Sequence, residues 1–376
     1  MEIESVKIDE LISAFAFDGK FKSVRRIEDG HINDTFVFEF KGKDGSIHQY
    51  LVQELNTDVF KEPVRVMNNF VGVSNHLQKK VIENGGDPER ECLQLYVSKD
   101  GNPFYVDTNG KYWRCMNYVY NAHTVQQVEN PEVFKKAAEA FGKFQCLLAD
   151  YPIESLEETI PNFHNTVSRF ADFKKAVKDN LSGRADNCKE EIDFILKREK
   201  DCGVLVDMLE KGELPLRVTH NDTKLNNVML DNETGEGICV VDLDTVMPGL
   251  SLYDFGDSIR FGASTAAEDE KDLDKVHFSL EYFKAYTEGF LSAAGKSLTK
   301  KEIENLAFSS KIMTLECGMR FLGDYINGDT YFKVEYPEHN LVRARTQLKL
   351  VSEMEEQMDD MNKVVADVCR ILGIEL

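Results

Sequence analysis

The sequence predicts an α+β fold: a small strand-rich lobe over residues 1–119 and a larger helical lobe over residues 120–376. Three observations predict it. Short runs of β-branched and aromatic residues, divided by glycine turns, fill the first third of the chain. Beyond Tyr120, apolar residues recur at the three- and four-residue spacing of amphipathic helices. Between two helical stretches, a strand pair near residues 218–244 concentrates His, Asp and Asn.

The first element is a short amphipathic helix over residues 8–17. Phe36-Val37-Phe38-Glu39-Phe40 forms one strand and Tyr50-Leu51-Val52-Gln53-Glu54-Leu55 another, divided by the turn Gly42-Lys43-Asp44-Gly45. A helix is expected from Pro63 to about Asn84, with proline in its first turn and Gly85-Gly86 past its end. Strands follow over 92–97 and 112–118, with a turn at Lys99-Asp100-Gly101-Asn102 between them. Pro131 to Leu148 places Phe134, Ala137, Ala138, Phe141, Phe144 and Leu148 on one helical face. Residues 168–209 read as a long charged helical stretch, and helices resume over 269–293, 300–327 and 338–372. No internal repeat is visible.

Composition narrows the function classes. With 376 residues, the chain can bury a core large enough for two lobes. A hydrophobic content of 42% with 30% charged residues is that of a soluble globular protein and excludes a disordered tract. No apolar stretch has the length of a membrane span, and Met1-Glu2-Ile3-Glu4-Ser5 lacks the basic start of a signal peptide. A cytoplasmic location is the expectation. The eight cysteines include no CxxC pair, so neither zinc nor a redox motif is supported, and reduced thiols are expected. A net charge of −21 argues against nucleic acid as a partner. It leaves room for a nucleotide, because Mg²⁺ and a few local cations can balance one triphosphate. No obligate protein partner is evident.

The run Val218-Thr219-His220-Asn221-Asp222-Thr223-Lys224-Leu225-Asn226-Asn227-Val228-Met229-Leu230-Asp231 sets His, Asp and Asn in the order H-x-D-x-x-x-x-N. The apolar strand Ile238-Cys239-Val240-Val241 then ends in Asp242. Phosphoryl transfer from ATP needs an Asp at the acceptor hydroxyl, and an Asn and an Asp to hold Mg²⁺ against the phosphates. A carboxylate ending a buried strand is costly unless it is paired or metal-bound. Read alone, the run also fits a satisfied His220–Asp222 turn pair with Asp242 capping a loop. The strand context favours the first reading.

This segment resembles the catalytic loop and metal-binding strand of the aminoglycoside phosphotransferase and choline kinase superfamily, whose members share the protein-kinase-like fold. With Asp242-Leu243-Asp244-Thr245-Val246-Met247-Pro248-Gly249 and Tyr253-Asp254-Phe255-Gly256-Asp257-Ser258-Ile259-Arg260-Phe261 added, it is closer still to N-acetylhexosamine 1-kinases. The resemblance runs from about Phe17 to Val334. It implies that Asp222 orients the acceptor hydroxyl and takes its proton, and that Asn227 and Asp242 hold Mg²⁺, assisted by Asp244. His220 and Asp254 would be structural. The turn Asp29-Gly30-His31-Ile32-Asn33-Asp34-Thr35 would lie over the phosphates, giving Gly30, Asn33 and Thr35 a nucleotide role; by itself, one glycine fits a plain hairpin equally well. Met116 and Tyr118 lie where the lobes join and would meet a purine edge through their backbone. His31, Phe261, Arg320 and Tyr331 would contact the acceptor.

Two departures from protein kinases stand out. Those enzymes pair a strand lysine with a helix glutamate, but this strand carries Gln53-Glu54 and residues 63–81 hold no Glu. Phosphate contact then falls to Gln53 or to a cation elsewhere. Asp254-Phe255-Gly256 spells the protein-kinase metal motif, yet it follows no apolar strand, whereas Asp242 does. Arg320 sits among Leu315, Cys317, Met319, Phe321 and Leu322, and an arginine there needs a polar or anionic partner. Asp324 and a bound substrate both qualify.

The expectation is a Mg²⁺- and ATP-dependent kinase for the anomeric hydroxyl of N-acetylglucosamine or N-acetylgalactosamine. The alternatives are a choline, amino-alcohol or aminoglycoside-type kinase, or a non-catalytic nucleotide-binding scaffold. A choline-type substrate needs an aromatic or acidic cage, which Arg320 argues against. The missing Lys–Glu pair favours the scaffold, while Asp222, Asn227 and Asp242 oppose it.

Overall fold

Alternation of side-chain direction along the strands organises the small lobe. The computed structural model describes residues 5–27 and 32–376. After helix α1 (Ser5–Ala14) come β1 (Lys20–Ile27), β2 (Asp34–Lys41) and β3 (Ile47–Glu54). Helices α2 (Pro63–Glu83) and α3 (Pro88–Glu91) precede β4 (Leu95–Tyr96), β5 (Tyr105–Val106) and β6 (Tyr112–Asn117). The antiparallel sheet has the order β1-β2-β3-β6-β4, with β5 also on β6. Phe36, Phe38, Phe40, Tyr50, Val52, Trp113 and Cys115 point to one face, where they bury Leu11 of α1 and Phe15 just past its end. Their sequence neighbours Thr35, Leu51, Gln53, Arg114 and Met116 therefore point to the other, and these five line a cleft. Register sets Gln53 directly opposite Arg114.

The large lobe begins with β7 (Ala122–His123) and α4 (Pro131–Leu147). Asn130 caps α4 by accepting from the Val133 amide, and Pro131 occupies its first turn. Strand β8 (Arg217–Thr219) leads into the loop that carries His220 and Asp222. Strands β9 (Val228–Asp231) and β10 (Gly237–Val240) join β7 in a small sheet, and β11 (Met247–Gly249) returns to pair with β8. Helix α9 (Ser251–Gly262) follows at once and is buried along almost its whole length. This is the predicted α+β arrangement.

Four helical expectations are corrected. The stretch 168–209 is four helices, α5 (Thr166–Asp179), α6 (Lys189–Leu196), α7 (Glu199–Cys202) and α8 (Val204–Glu210). Asn180 ends α5 in the left-handed conformation at φ 41°, and Ser182 Oγ then bonds the Ile326 carbonyl, folding the chain back. The helix expected from residue 269 starts only at Leu280, because Ser279 caps α10 (Leu280–Ala294) and residues 264–279 form an acidic loop. Residues 300–327 divide at Asn305 into α11 (Lys300–Glu304) and α12 (Leu306–Asn327). Residues 338–372 divide at Gln357 into α13 (His339–Glu356) and α14 (Met358–Leu372), whose Met354 and Met361 enter the same core. The strand expected over 92–97 shrinks to the two residues of β4. Among the described residues, no helix is long and apolar enough to cross a membrane.

Helix α12 is the central post of the lobe and touches α5, α9 and α13. Its contact with α9 is close because position 256 has no side chain: a Cβ there would lie 2.5 Å from the Ser309 carbonyl oxygen and 2.6 Å from Met313 Cγ. Gly256→Ala should therefore destabilise the protein by about 1–3 kcal/mol, although alanine is the better helix former. Urea melts of the two proteins check this; an alanine variant as stable as wild type would mean the helices separate freely.

Candidate active site

The loop after β8 is held from beneath by carboxylates of α9. Asp254 accepts from the amides of His220 (2.9 Å) and Asn221 (2.8 Å) and from Gln145 Nε2 (2.7 Å). Burial pushes its carboxyl above the ordinary range. Asp257 accepts from the Thr223 amide at 3.0 Å, and Thr223 Oγ1 donates to the Asp254 carbonyl. Asp254-Phe255-Gly256 is thus helical: Asp254 grips the loop, Phe255 packs on Phe283, Tyr286 and Phe290, and Gly256 meets α12. Asn221 takes φ 63°, a left-handed conformation that asparagine tolerates, and its side chain donates to the Thr219 and Thr245 carbonyls.

His220 is fully buried, with its ring edge-on to Phe141 and Phe144. Its Nδ1 accepts from the Asp222 amide at 3.3 Å and its Nε2 lies 2.8 Å from the Val241 carbonyl. These partners require the Nε2–H tautomer. The ring joins the Asp222 loop to the strand end that carries Asp242.

Asp222, Lys224, Asn227 and Asp242 line the cleft between the lobes, which encloses about 400 Å³. Asn227 Nδ2 donates to the Asp222 carbonyl (2.7 Å) and to Asp222 Oδ2 (3.3 Å). Lys224 Nζ is 2.9 Å from Asp222 Oδ1. Burial would raise the Asp222 carboxyl, but the Lys224 ammonium outweighs it and holds the group below its ordinary range. The same pairing pushes Lys224 up.

Asp242 stands at the opposite extreme. It adopts φ 61°, ψ 60°, a strained conformation for a non-glycine residue. It opens to the cleft, and among the described residues no side-chain partner meets its carboxylate. The enclosing walls, with Asp244 and Asp222 beside it, push its carboxyl up to about 6. A carboxylate raised by neighbouring anions and open to the cleft is suited to a cation. Asn227 turns its amide nitrogen toward Asp222, which leaves its carbonyl oxygen as a second hard ligand. No group of three His, Cys, Asp or Glu residues converges among the described residues. Asp242 with the Asn227 carbonyl oxygen is a donor set that Mg²⁺ would accept, since that ion needs only one or two carboxylates besides phosphates and water.

Asp244, expected to assist the metal, is otherwise engaged. It is 3% exposed; both oxygens bond the Arg114 guanidinium, and Oδ2 also accepts from Asn33 Nδ2 at 2.6 Å. Gln53 Oε1 accepts from Arg114 Nε at 2.8 Å, while Gln53 Nε2 donates to Thr35 Oγ1 at 2.8 Å. Asn33, Thr35 and Gln53 thereby form one network around Arg114. Gly30 and His31 lie outside the described residues. Met116 and Tyr118 line the cleft together with the apolar side chains Ile27, Leu51, Met229 and Val241.

The expected acceptor residues are only partly brought together. Arg320 lies 5.3 Å from the Phe163 ring centre, 5.8 Å from Tyr331 and 5.5 Å from Phe332. Phe261 is not among them; it is the one half-buried residue of α9 and packs against the cluster that includes Leu225, Val240 and Leu243. Asp324 is no ion-pair partner for Arg320, since it accepts from the amides of Thr330, Tyr331 and Phe332 and from Asn340 Nδ2. Arg169, also beside Phe163, is pushed down by burial and by the charge of Arg320. Neither guanidinium has a carboxylate ion-pair partner among the described residues.

Three residues that sequence reasoning missed stand at this site. Arg114 carried a usable signal, a charge within the buried strand Tyr112-Trp113-Arg114-Cys115-Met116. Lys224 stood two places after Asp222. His164 gave none: its Nδ1 is 2.8 Å from Glu316 Oε1 and its Nε2 is 3.1 Å from the Asn221 carbonyl, across 152 and 57 residues.

A model of the phosphotransferase enzyme family matches residues 23–290. Among solved structures, an amicoumacin kinase in complex with AMP-PNP, Ca²⁺ and Ami has a TM-score of 0.58 at 10% identity, covering 95% of this chain and 94% of that one. The ethanolamine kinase of Plasmodium vivax has a TM-score of 0.53 at 14% identity, over 86% and 82% of the chains. The choline kinase of Cryptosporidium parvum Iowa II has a TM-score of 0.53 at 14% identity, over 90% of each. At these identities, the likeness is one of fold.

His164 yields a test of loop support. Both of its partners are acceptors, so both ring nitrogens donate and the imidazole is charged. Burial lowers its pKa, but Glu316 more than reverses this, and the net shift is upward from 6.5. The stabilisation is therefore complete below 6.5 and is lost as pH rises through the raised folded value. Thermal melts of wild type and His164→Gln at stepped pH should show a gap that is widest below 6.5 and narrows above it. A gap independent of pH would mean that a neutral ring serves equally well.

Proposed function

The chain belongs to the phosphotransferase enzyme family, and from that membership we propose an ATP- and Mg²⁺-dependent kinase that phosphorylates the anomeric hydroxyl of an N-acetylhexosamine, N-acetylglucosamine or N-acetylgalactosamine, to the sugar 1-phosphate. The observation that carries the kinase reading is the convergence of Asp222, Asn227 and an unpartnered Asp242 on one cleft. Asp222, kept ionised by Lys224, orients the acceptor hydroxyl and takes its proton as oxygen attacks the γ-phosphorus. The bond from that phosphorus to the bridging oxygen breaks, and ADP leaves. Lys224, which lines the same cleft, would set its charge against the developing negative charge. Mg²⁺, held by Asn227 and Asp242, would neutralise phosphate charge. His220 and Asp254 keep the loop in place, and the apolar lining around Met116 and Tyr118 suits a purine.

The sugar assignment rests on the resemblance and on the character of the acceptor end. Aromatic faces with few polar groups suit a pyranose. Arg320 offers hydrogen-bond donors among Phe163, Tyr331 and Phe332. A quaternary ammonium or polycationic acceptor would meet an aromatic cage already filled by a guanidinium, with Arg169 behind it. That disfavours the choline and aminoglycoside alternatives. A scaffold role leaves the strained, unpartnered Asp242 without a purpose.

Asp222→Asn should lower turnover by orders of magnitude and leave MgATP affinity nearly intact. Asp242→Ala should abolish Mg²⁺-dependent nucleotide binding, whereas Asp254→Ala should chiefly lower thermal stability. Calorimetric titration with MgATP separates the three, and an Asp222→Asn enzyme with near wild-type turnover would refute the assigned base. Arg320→Ala should raise the KM for the sugar, with kcat/KM down about ten- to a hundredfold and the KM for ATP little changed. Phosphorus–carbon coupling in the NMR spectrum of the product should place phosphate on the anomeric oxygen. Phosphate on the 6-hydroxyl, or activity with choline alone, would overturn the sugar assignment and leave the kinase standing.

A further inference from the structure

The cleft of a phosphoryl-transfer enzyme needs a fixed cation at the nucleotide phosphates, and neither β3 nor α2 supplies the usual pair. Position 53 is glutamine, and α2 has no acidic residue before its last, Glu83. We infer that Arg114 on β6, paired with Asp244 beyond the metal strand, is the phosphate-binding cation of this protein, shifted one strand from the usual place. This assignment rests on the kinase reading above and names the group that binds the nucleotide phosphates.

Geometry carries it. Gln53 and Arg114 are register partners on adjacent antiparallel strands, so both side chains leave the sheet on the same face, about 5 Å apart. That face lines the cleft that also holds Asp222, Asn227 and Asp242. Arg114 is 1% exposed and held on every side: by the Asp244 carboxylate, by Gln53 Oε1, and by Phe70 of α2, whose ring centre is 4.5 Å from the guanidinium carbon. Phe70 occupies the flank from which a helix carboxylate would otherwise approach. The anion comes from Asp244 instead, 130 residues along the chain.

The glutamine completes the exchange. Gln53 Nε2 donates to Thr35 Oγ1, which turns Oε1 toward Arg114. A lysine at position 53 would face Arg114 with a like charge at contact distance, so the two residues fit only as a set. Asn33 donates to Asp244, and Asn56 donates its amide to Asn33 Oδ1 at 2.9 Å. The turn that precedes β2 is thereby linked to the same ion pair. The pair joins β6 of the small lobe to the turn after Asp242 in the large one, so the cation has a fixed position relative to the metal ligands. That is the preorganisation an electrostatic site requires.

The test compares adenosine, ADP and AMP-PNP by titration calorimetry with Mg²⁺ present. Arg114→Gln should weaken AMP-PNP and ADP binding about ten- to a hundredfold and leave adenosine binding unchanged. The double variant Gln53→Lys/Arg114→Met moves the cation back to β3 and should restore part of the preference for AMP-PNP over adenosine. A folded Arg114→Gln protein that binds AMP-PNP as wild type does would overturn the assignment. Equal loss of adenosine and AMP-PNP would overturn it too, by showing that Arg114 only shapes the cleft. Should Arg114→Gln not fold, the double variant decides alone, and no preference for AMP-PNP over adenosine in it is the refuting result. Wild type that binds none of the three would overturn the kinase reading itself.

Discussion

A buried ion pair between Arg114 and Asp244 is the constraint around which the cleft is organised. Two charges withdrawn from water cost several kcal/mol each, and only close geometry with further hydrogen bonds repays this. Gln53, Asn33 and the face of Phe70 supply that completion. Loss of one partner would leave the other charged and dry, at a cost of about 3–5 kcal/mol. Because the pair spans the lobes, the sheet face that carries Thr35, Leu51 and Met116 has one position relative to the loop that carries Asp222.

Beneath the pair, four aspartates of one small region divide into two kinds. Asp254 and Asp257 are satisfied by backbone amides of the loop, so their charge is spent on its shape. Asp222 and Asp242 face the cleft. Asp222 has an ammonium partner and is held ionised, whereas Asp242 has no cation in contact among the described residues, and burial together with the neighbouring carboxylates raises it. Residue type does not separate these roles; the supply of donors does. The left-handed backbone at Asn221 and Asp242 shows where the fold accepts strain to aim the cleft-facing pair.

The aromatic cluster around Arg320 has the reverse electrostatics. In a chain with a net charge of −21, Arg169 and Arg320 converge on Phe163 without a carboxylate of their own. Asp324, four residues from Arg320, is consumed by the amides of the 330–332 turn. The surface charge and the local charge of the site are therefore set independently.

By itself, the sequence determined what is local. Phenylalanine at every second position of β2 settled which face of the sheet is buried. Prolines marked the starts of α2 and α4. The spacing from His220 through Asp242 put three chemistry-bearing residues on one loop and one strand end, because those groups are contiguous in the chain. Helix ends were harder to read: 338–372 carries apolar residues through its break at Gln357, with Met354 and Met361 in one core, while the break in 168–209 falls at Asn180-Leu181-Ser182-Gly183, where Asn180 turns left-handed. What only the tertiary structure decided is the set of partners distant in sequence. Asp244 looked like a metal ligand until Arg114, 130 residues away, claimed both its oxygens. Phe261 looked like a neighbour of Arg320 until the fold set it against a different cluster, and His164 had no mark at all until Glu316 and Asn221 closed on it. A carboxylate's role depends on which donors reach it, and that is a property of three-dimensional proximity that no local pattern encodes.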